Sequence, residues 1–362
     1  MKKGLFICLV LVMSITSTTY ADSYNTNEII TDTARYIYNT LDSPQVSSVG
    51  GEWAILGLAR SGENIPKDYF EQYYKSVEDY VAANNGILHN KKYTEYSRVI
   101  VALTAIGKNP KDVAGYNLLT PLGDYEKTIR QGINGAIWAL IALDCGNYEM
   151  PINTDAKIHA TRQMYVNLIL ERQTSDGGWA LSGDYADADV TAMALQALSN
   201  YQDDERVKVA TEKALECLSA MQDENGGFSS YDTKNSESNV QVIVALCELG
   251  ISVYDKRFIK NGNTIVDNLI SFYDGNGFKH LENDATNQMA TEQCFYALIA
   301  LKRSEENKTS LYDMSDVVLK TSKKHHILKP VLYSIVLFEN ADRYMVKKIA
   351  STTILNTITS KE

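Results

Sequence analysis

Residues 173–191 read QTSDGGWALSGDYADADVT, and this stretch decides the fold. A Gly-Gly-Trp turn is followed by three aspartates, which lead directly into the apolar run that begins at Val190. Aspartate is among the residues preferred at the start of a helix, so the stretch predicts a turn and then a helix. QDENGGF, residues 222–228, also precedes an apolar run, which indicates a repeated structural unit.

The apolar runs that follow such turns are copies of one pattern. SRVIVALTAIG at residues 97–107 nearly repeats as VQVIVALCELG at residues 240–250. Looser copies begin at residues 51, 135, 190 and 290. The copies are apolar on all sides, as enclosed helices are, whereas the intervening residues 206–222 have one polar face. The sequence therefore predicts six inner helices surrounded by amphipathic outer helices.

The first 21 residues have the layout of a cleavable secretory signal. Lys2 and Lys3 precede the apolar run GLFICLVLVM, and small residues close the segment. We therefore expect a secreted, extracellular protein. Its net charge is −10, or −12 once residues 1–21 are removed, which disfavours nucleic acid and anionic membranes as partners. No later apolar run is long enough to span a membrane.

The rest of the chain divides into two expected parts. Residues 22–310 form the repeat domain, and residues 311–362 form a short helical extension that includes LYDMSDVVLK. Cysteines after the signal lack CxxC spacing and lie in apolar patterns, which favours buried thiols over a disulfide or metal framework. They are Cys145, Cys217, Cys247 and Cys294. We expect no metal and no cofactor.

QTSDGGW and QDENGGF resemble the Q-x-x-x-G-x-W motif of squalene and hopene cyclases and the Gly-Gly-Phe repeats of protein prenyltransferase β subunits. The resemblance implies an all-α fold, an α6/α6 toroid in which inner and outer helices form a closed ring. The same toroid is similar to the cobalamin-binding domain of transcobalamin and intrinsic factor. In this architecture the loops that lead into the inner helices surround one mouth of a central cavity.

The segment DADVT, residues 187–191, resembles the D-x-D-D-T pattern of protonation-driven cyclases. The resemblance places Asp189 at the proton-donating position and Asp187 beside it, with Val190 where the last aspartate of the pattern would be. Such chemistry requires a carboxylic acid that burial or a second carboxylate keeps protonated. The alternative is that the aspartates cap their own helix, and the missing acid favours this alternative.

Acidic and aromatic side chains recur near the first turns of the inner helices. We expect the acids to make this mouth acidic and to raise one another's pKa values. The aromatic groups favour a flat apolar ligand or the face of a sugar. The candidate ligand-binding residues are Glu52, Trp53, Tyr96, Arg98, Trp138, Tyr185, Glu237, Gln241 and Glu292.

Two enzyme classes are disfavoured. A zinc prenyltransferase would need aspartate, cysteine and histidine ligands, but Cys294 lacks the family's aspartate ahead of it and the histidines have no ligand spacing. The loops also offer few basic residues for a diphosphate. Two carboxylates about 5 to 10 Å apart could cleave a glycoside, although the repeats resemble the cyclase lineage instead.

Three functions remain as expectations. The first is non-catalytic binding of a hydrophobic or corrinoid-like small ligand in the central cavity. The second is a terpenoid cyclase-like reaction with Asp189 as general acid. The third is a structural or adhesion module with a partner at the cell surface. We favour binding, because export, the missing zinc ligands and the incomplete acid motif all agree with it.

Overall fold

The computed structural model describes residues 25–230 and 232–320. The expected signal segment, and the expected helical extension from residue 321 onward, lie outside the described residues. All described residues belong to the larger of the two units into which the chain divides, residues 1–322. Within it, helices alternate between an inner and an outer layer.

The inner helices form a closed ring. Each contacts the next along the chain, and the last contacts the first, where Gly57 lies so close to Phe295 that a Cβ would come within 2.6 Å of the ring. The expected closed α/α barrel is therefore confirmed. The inner helices are α2 (Trp53–Ser61), α4 (Thr94–Ala105), α6 (Ile133–Asp144), α8 (Ala188–Leu198), α10 (Ser236–Glu248) and α12 (Gln288–Glu305).

The outer layer is less regular, because its third helix is a single turn. The outer helices are α1 (Thr26–Thr40), α3 (Lys67–Ala83), α5 (Tyr125–Thr128), α7 (Arg162–Glu171), α9 (Glu205–Met221) and α11 (Ile265–Ser271). Short 3-10 turns cover Thr120–Gly123, Ile129–Gln131, Ser199–Tyr201 and Lys256–Phe258. Two antiparallel hairpins pair β1 (Ser229–Ser230) with β2 (Thr233–Lys234) and β3 (Ile259–Lys260) with β4 (Asn263–Thr264).

Residue patterns explain which helices lie inside. In α6 every residue from Ile133 to Leu143 is buried except Asn134, so this helix is enclosed by its neighbours. In α9 the buried positions, among them Val207, Ala214 and Leu218, follow one face, and the other face carries the charges. The predicted arrangement of apolar helices inside amphipathic ones is what the structure has.

A glutamine fastens each well-formed Gly-Gly turn. The Gln173 side-chain amide donates to the carbonyl oxygens of Gly177 and Ala210, both at 2.8 Å, and so ties the turn to α9. Gln222 makes the equivalent pair of bonds one repeat later. Gly177 has a φ of 96°, and a Cβ there would lie 2.9 Å from the carbonyl oxygen of Lys213. Only glycine satisfies both conditions.

Residues 309–320 pack across the C-terminal ends of the inner helices, and we call them the strap. They contain no helix, so the helix expected over LYDMSDVVLK is wrong. Arg60 donates to the carbonyl oxygens of Ser310 and Asp313, and these contacts hold the backbone in a non-helical course. The strap buries the side chains of Leu311, Tyr312 and Met314.

The cysteines in the described region are buried and free. They are Cys145, Cys217, Cys247 and Cys294. Burial raises the pKa values of all four thiols, which favours the unreactive protonated form. Among the described residues, no helix combines the length and hydrophobicity that a membrane span requires.

Gln222→Ala should lower the free energy of unfolding by about 1 to 3 kcal/mol, because the variant leaves two buried carbonyl oxygens without their donor. Urea denaturation followed by circular dichroism measures the change. Gln163→Ala is the matched control, since the Gln163 side chain bonds only to Asn167 on the exposed face of α7. Equal stability of the two variants would contradict the fastening role of Gln222.

Candidate functional site

Every inner helix has a polar side chain in or beside its first turns. Contacts between neighbouring members place these groups at one end of the barrel, which we call the N-terminal mouth. The strap lies at the opposite end, the C-terminal mouth. The six side chains are Glu52, Arg98, Asn134, Asp189, Glu237 and Glu292.

Glu52 is used by the fold. Its Oε1 atom accepts hydrogen bonds from the Tyr73 hydroxyl at 3.2 Å and from the Ser47 backbone N–H at 3.0 Å. Burial raises the pKa of Glu52 to about 8, although Arg98 Nε lies 3.9 Å from Oε2 and acts in the opposite direction. The carboxyl group therefore joins α2 to the outer helix α3 instead of facing a ligand.

Three other candidate residues are not available to a ligand on the axis of the ring, because two of them accept backbone hydrogen bonds and the third is exposed on a loop. The Glu292 carboxyl group accepts the Gly50 backbone N–H at 3.0 and 3.1 Å, and burial raises its pKa to about 7. The Tyr96 hydroxyl accepts the Leu88 backbone N–H at 3.1 Å. Tyr185 is 77% exposed on the loop before α8. We do not include these three in the ligand site.

An aromatic column follows the axis of the ring. The Trp53 ring centroid lies 5.2 Å from that of Trp138 and 5.8 Å from that of Tyr296, and the Arg98 guanidinium lies 5.8 Å above Trp53. Trp138 in turn contacts the strap residue Tyr312 edge-on at 6.4 Å. The structure thus brings together the expected Trp53, Arg98 and Trp138, and adds two tyrosines that were not predicted.

A chain of amides connects three inner helices beside this column. The Gln196 side-chain amide donates to the Gln241 carbonyl oxygen at 2.9 Å and to its Oε1 atom at 3.1 Å. Gln241 Nε2 lies 3.2 Å from both Gln293 Oε1 and the Tyr296 hydroxyl. Only Gln241 was predicted. The signal for Gln293 was the shared spacing in QVIVAL and QCFYAL, where one polar residue interrupts an apolar helix.

The two candidate catalytic aspartates have different roles. Asp187 caps α8, because its Oδ1 accepts the Val190 backbone N–H at 3.1 Å and its Oδ2 accepts the Ser230 hydroxyl at 2.7 Å. Asp189 does not cap: its Oδ1 is buried and has no hydrogen-bond partner among the described residues. Burial raises the pKa of Asp189 to about 6, while the nearby Ser238 hydroxyl lowers it and the charges of Asp187 and Glu237 raise it further.

Glu237 lies next to Asp189 at the start of α10. It is 7% exposed, and its Oε2 atom contacts His280 Nδ1 at 2.8 Å and the Ser236 hydroxyl at 3.1 Å. Its Oε1 atom is buried and has no hydrogen-bond partner in residues 25–230 and 232–320. Two carboxyl oxygens on neighbouring inner helices are therefore left without a donor.

Buried polar atoms that lack a hydrogen-bond partner among the described residues occur on four consecutive inner helices at this mouth. They are Arg98 Nε, Asn134 Oδ1, Asp189 Oδ1 and Glu237 Oε1. Together with Trp53 and Gln241 we call these residues the axial site. Burial is the largest cause of the raised pKa values of Glu52, Asp189 and Glu292. The expected repulsion between acids adds to it at Glu52 and at Asp189.

The unfolding free energy should reveal the raised pKa of Asp189. Because the folded pKa of about 6 exceeds the ordinary aspartate value of 3.8, protonation stabilises the fold at low pH, and this stabilisation is lost as the pH rises through 6. Relative to Asp189→Asn, the wild type should lose about 2 to 3 kcal/mol between pH 4 and pH 8. Parallel pH profiles of the two proteins would show that Asp189 titrates normally.

Comparisons with known proteins agree with the fold. Residues 169–255 match the family model of the squalene-hopene cyclase C-terminal domain. The sequence matches none of the curated proteins with which it was compared. The fold resembles an ent-copalyl diphosphate synthase from Streptomyces platensis at 17% identity and a TM-score of 0.45, covering 69% of this chain and 49% of that one. The chain thus spans about half the length of that enzyme.

Two further solved structures are matched over nearly their whole length. One is a Candida albicans protein geranylgeranyltransferase-I complexed with GGPP, at 10% identity and a TM-score of 0.50, covering 78% of this chain and 93% of that one. The other is an unsaturated glucuronyl hydrolase from Bacillus sp. GL1, at 14% identity and a TM-score of 0.51, covering 79% and 97%. The chain therefore shares the α/α-toroid fold of these two structures.

Proposed function

We propose that the protein is exported and binds a small ligand at the N-terminal mouth of its barrel without converting it. One observation carries the proposal: within the described residues, buried polar atoms without hydrogen-bond partners occur on four consecutive inner helices around an aromatic column. Each such atom costs about 1 to 3 kcal/mol when it is left unpaired. A ligand that supplies the missing donors and acceptors recovers this free energy.

The side chains of the axial site define the chemistry of the ligand. Arg98 Nε offers a donor, and Asn134, Asp189 and Glu237 offer acceptors, next to the aromatic ring of Trp53 and the amide of Gln241. A hydrophobic or corrinoid-like molecule with a flat face and hydrogen-bonding substituents meets these requirements. Tyr296, Trp138 and Tyr312 occupy the axis below Trp53. The ligand would therefore bind at the mouth instead of deep within the barrel.

A cyclase-like enzyme is the second candidate, and the state of Asp189 favours it. A pKa of about 6 leaves part of this buried carboxyl group protonated near neutral pH, as a general acid requires. The aromatic column could stabilise a carbocation. Binding remains the first choice because contacts between aromatic side chains fill the axis, whereas a cyclase must enclose the polyprenoid that it folds.

Ligand capture is tested with two probes, cyanocobalamin and squalene. One of them should raise the melting temperature of the wild-type protein. Gln241→Ala should lower the affinity for that probe on the order of tenfold, because the amide is part of the site. Gln163→Ala, on the exposed face of an outer helix, is the control and should leave binding unchanged.

Binding would be dismissed if neither probe changes the melting temperature and native mass spectra of host-purified protein show no bound small molecule. Conversion of squalene to a cyclic product that Asp189→Asn abolishes would replace the binder with the enzyme. Gas chromatography of extracted reaction mixtures distinguishes these outcomes.

Export has its own test. The layout of residues 1–21 predicts cleavage after the small-residue segment that ends at Ala21. Immunoblotting of host cultures should find the protein in the medium, and mass spectrometry should find an amino terminus near Asp22. Protein that stays in the cytoplasm with Met1 intact would contradict export.

A further inference from the structure

A second concave site lies at the opposite end of the barrel, the C-terminal mouth. A cavity of about 410 Å³ separates the ends of α2, α4 and α12 from the strap. This volume falls within the usual range of small-molecule sites. Five basic side chains line it, although the chain as a whole has a net charge of −10. They are Arg60, Lys302, Arg303, Lys308 and Lys320.

Two acidic side chains in the cavity neutralise only part of this charge. Asp316 is shared, since its two oxygens lie 2.6 Å from Arg60 Nη1 and 2.7 Å from Arg303 Nη2. Glu306 pairs with Lys308 at 2.6 Å. Within the described ranges, Lys302 has no carboxylate at ion-pair distance. The lining therefore carries a surplus of three positive charges.

Arg60 supplies a buried donor that the protein does not use. The residue is 4% exposed, and its Nη atoms bond to Asp316, Thr309 and the strap backbone, but its Nε atom has no hydrogen-bond partner in the part of the chain that the structure describes. Burial lowers the pKa of Arg60, and the charge of Arg303 acts in the same direction. An additional anion would both fill the vacant donor and relieve this repulsion.

We propose that this cavity binds a small oxyanion of the phosphate type, held by Arg60, Lys302 and Lys320. Guanidinium and ammonium groups are the usual partners of phosphate oxygens, and their hydrogen bonds to charged acceptors are the stronger ones. The anion would lie beside Asp316 on the arginines that hold the strap, so binding would stabilise the strap. This site is separate from the axial site and independent of the function proposed for it.

Isothermal titration calorimetry with inorganic phosphate tests the site, with chloride of equal ionic strength and malonate as comparisons. Phosphate should bind saturably to the wild type. Lys302→Gln should lower the phosphate affinity on the order of tenfold, because one charge-assisted bond is removed. Lys302 does not bond to the strap, so the free variant should keep its melting temperature. Lys208→Gln, exposed on α9, is the matched control.

Several outcomes would overturn the proposal. Phosphate heats no larger than those of chloride would show that no site exists, and unchanged phosphate affinity in both Lys302→Gln and Lys320→Gln would place it elsewhere. Malonate binding as tight as that of phosphate would reject the phosphate class. Gln241→Ala should leave phosphate binding intact, so failure here is distinguishable from failure at the axial site.

Discussion

The contact between the first and last inner helices is the constraint on which the rest of the structure depends. Gly57 of α2 admits Phe295 of α12 at a distance that no other residue would allow, and the Glu292 carboxyl group holds the Gly50 backbone at the same junction. Without this junction the repeats could stack as an open array. With it, every first turn is brought to one mouth, and side chains on non-consecutive helices meet on the axis.

Closure also explains why the N-terminal mouth carries perturbed acids. Carboxyl groups at helix starts are usually solvated and favourable to the helix dipole. Here the ring surrounds them, so burial dominates, and the pKa values of Glu52, Glu292 and Asp189 rise. Glu52 and Glu292 have donors from the protein itself. One oxygen of Asp189 has no such donor among the described residues. This difference distinguishes the structural acids Glu52 and Glu292 from the acids of the axial site.

Local sequence predicted much of the fold because the relevant signals are local. Apolar periodicity distinguishes enclosed helices from amphipathic ones. In QTSDGGW the glutamine bonds to backbone carbonyl oxygens and the first glycine has a positive φ, so a short motif is enough to indicate the turn. The strap could not be predicted this way. LYDMSDVVLK has helix-like spacing, but its course depends on Arg60, which lies 256 positions from Asp316 in the chain. Likewise, Gln196 and Tyr296 carry no motif, and only the ring places them beside Gln241.

The strap has a consequence for how the chain folds. In an open repeat array each unit contacts only its neighbours, so folding can start anywhere and spread. Here α2 is completed by α12 and by residues 309–316, so contacts span most of the described sequence. Such high contact order slows folding and makes it cooperative across the whole ring. Until residues 309–316 are present, Arg60 and Arg303 lack the Asp316 carboxylate that both of them bind. The strap is therefore completed only after the last inner helix, which is not the case for a unit of an open repeat array.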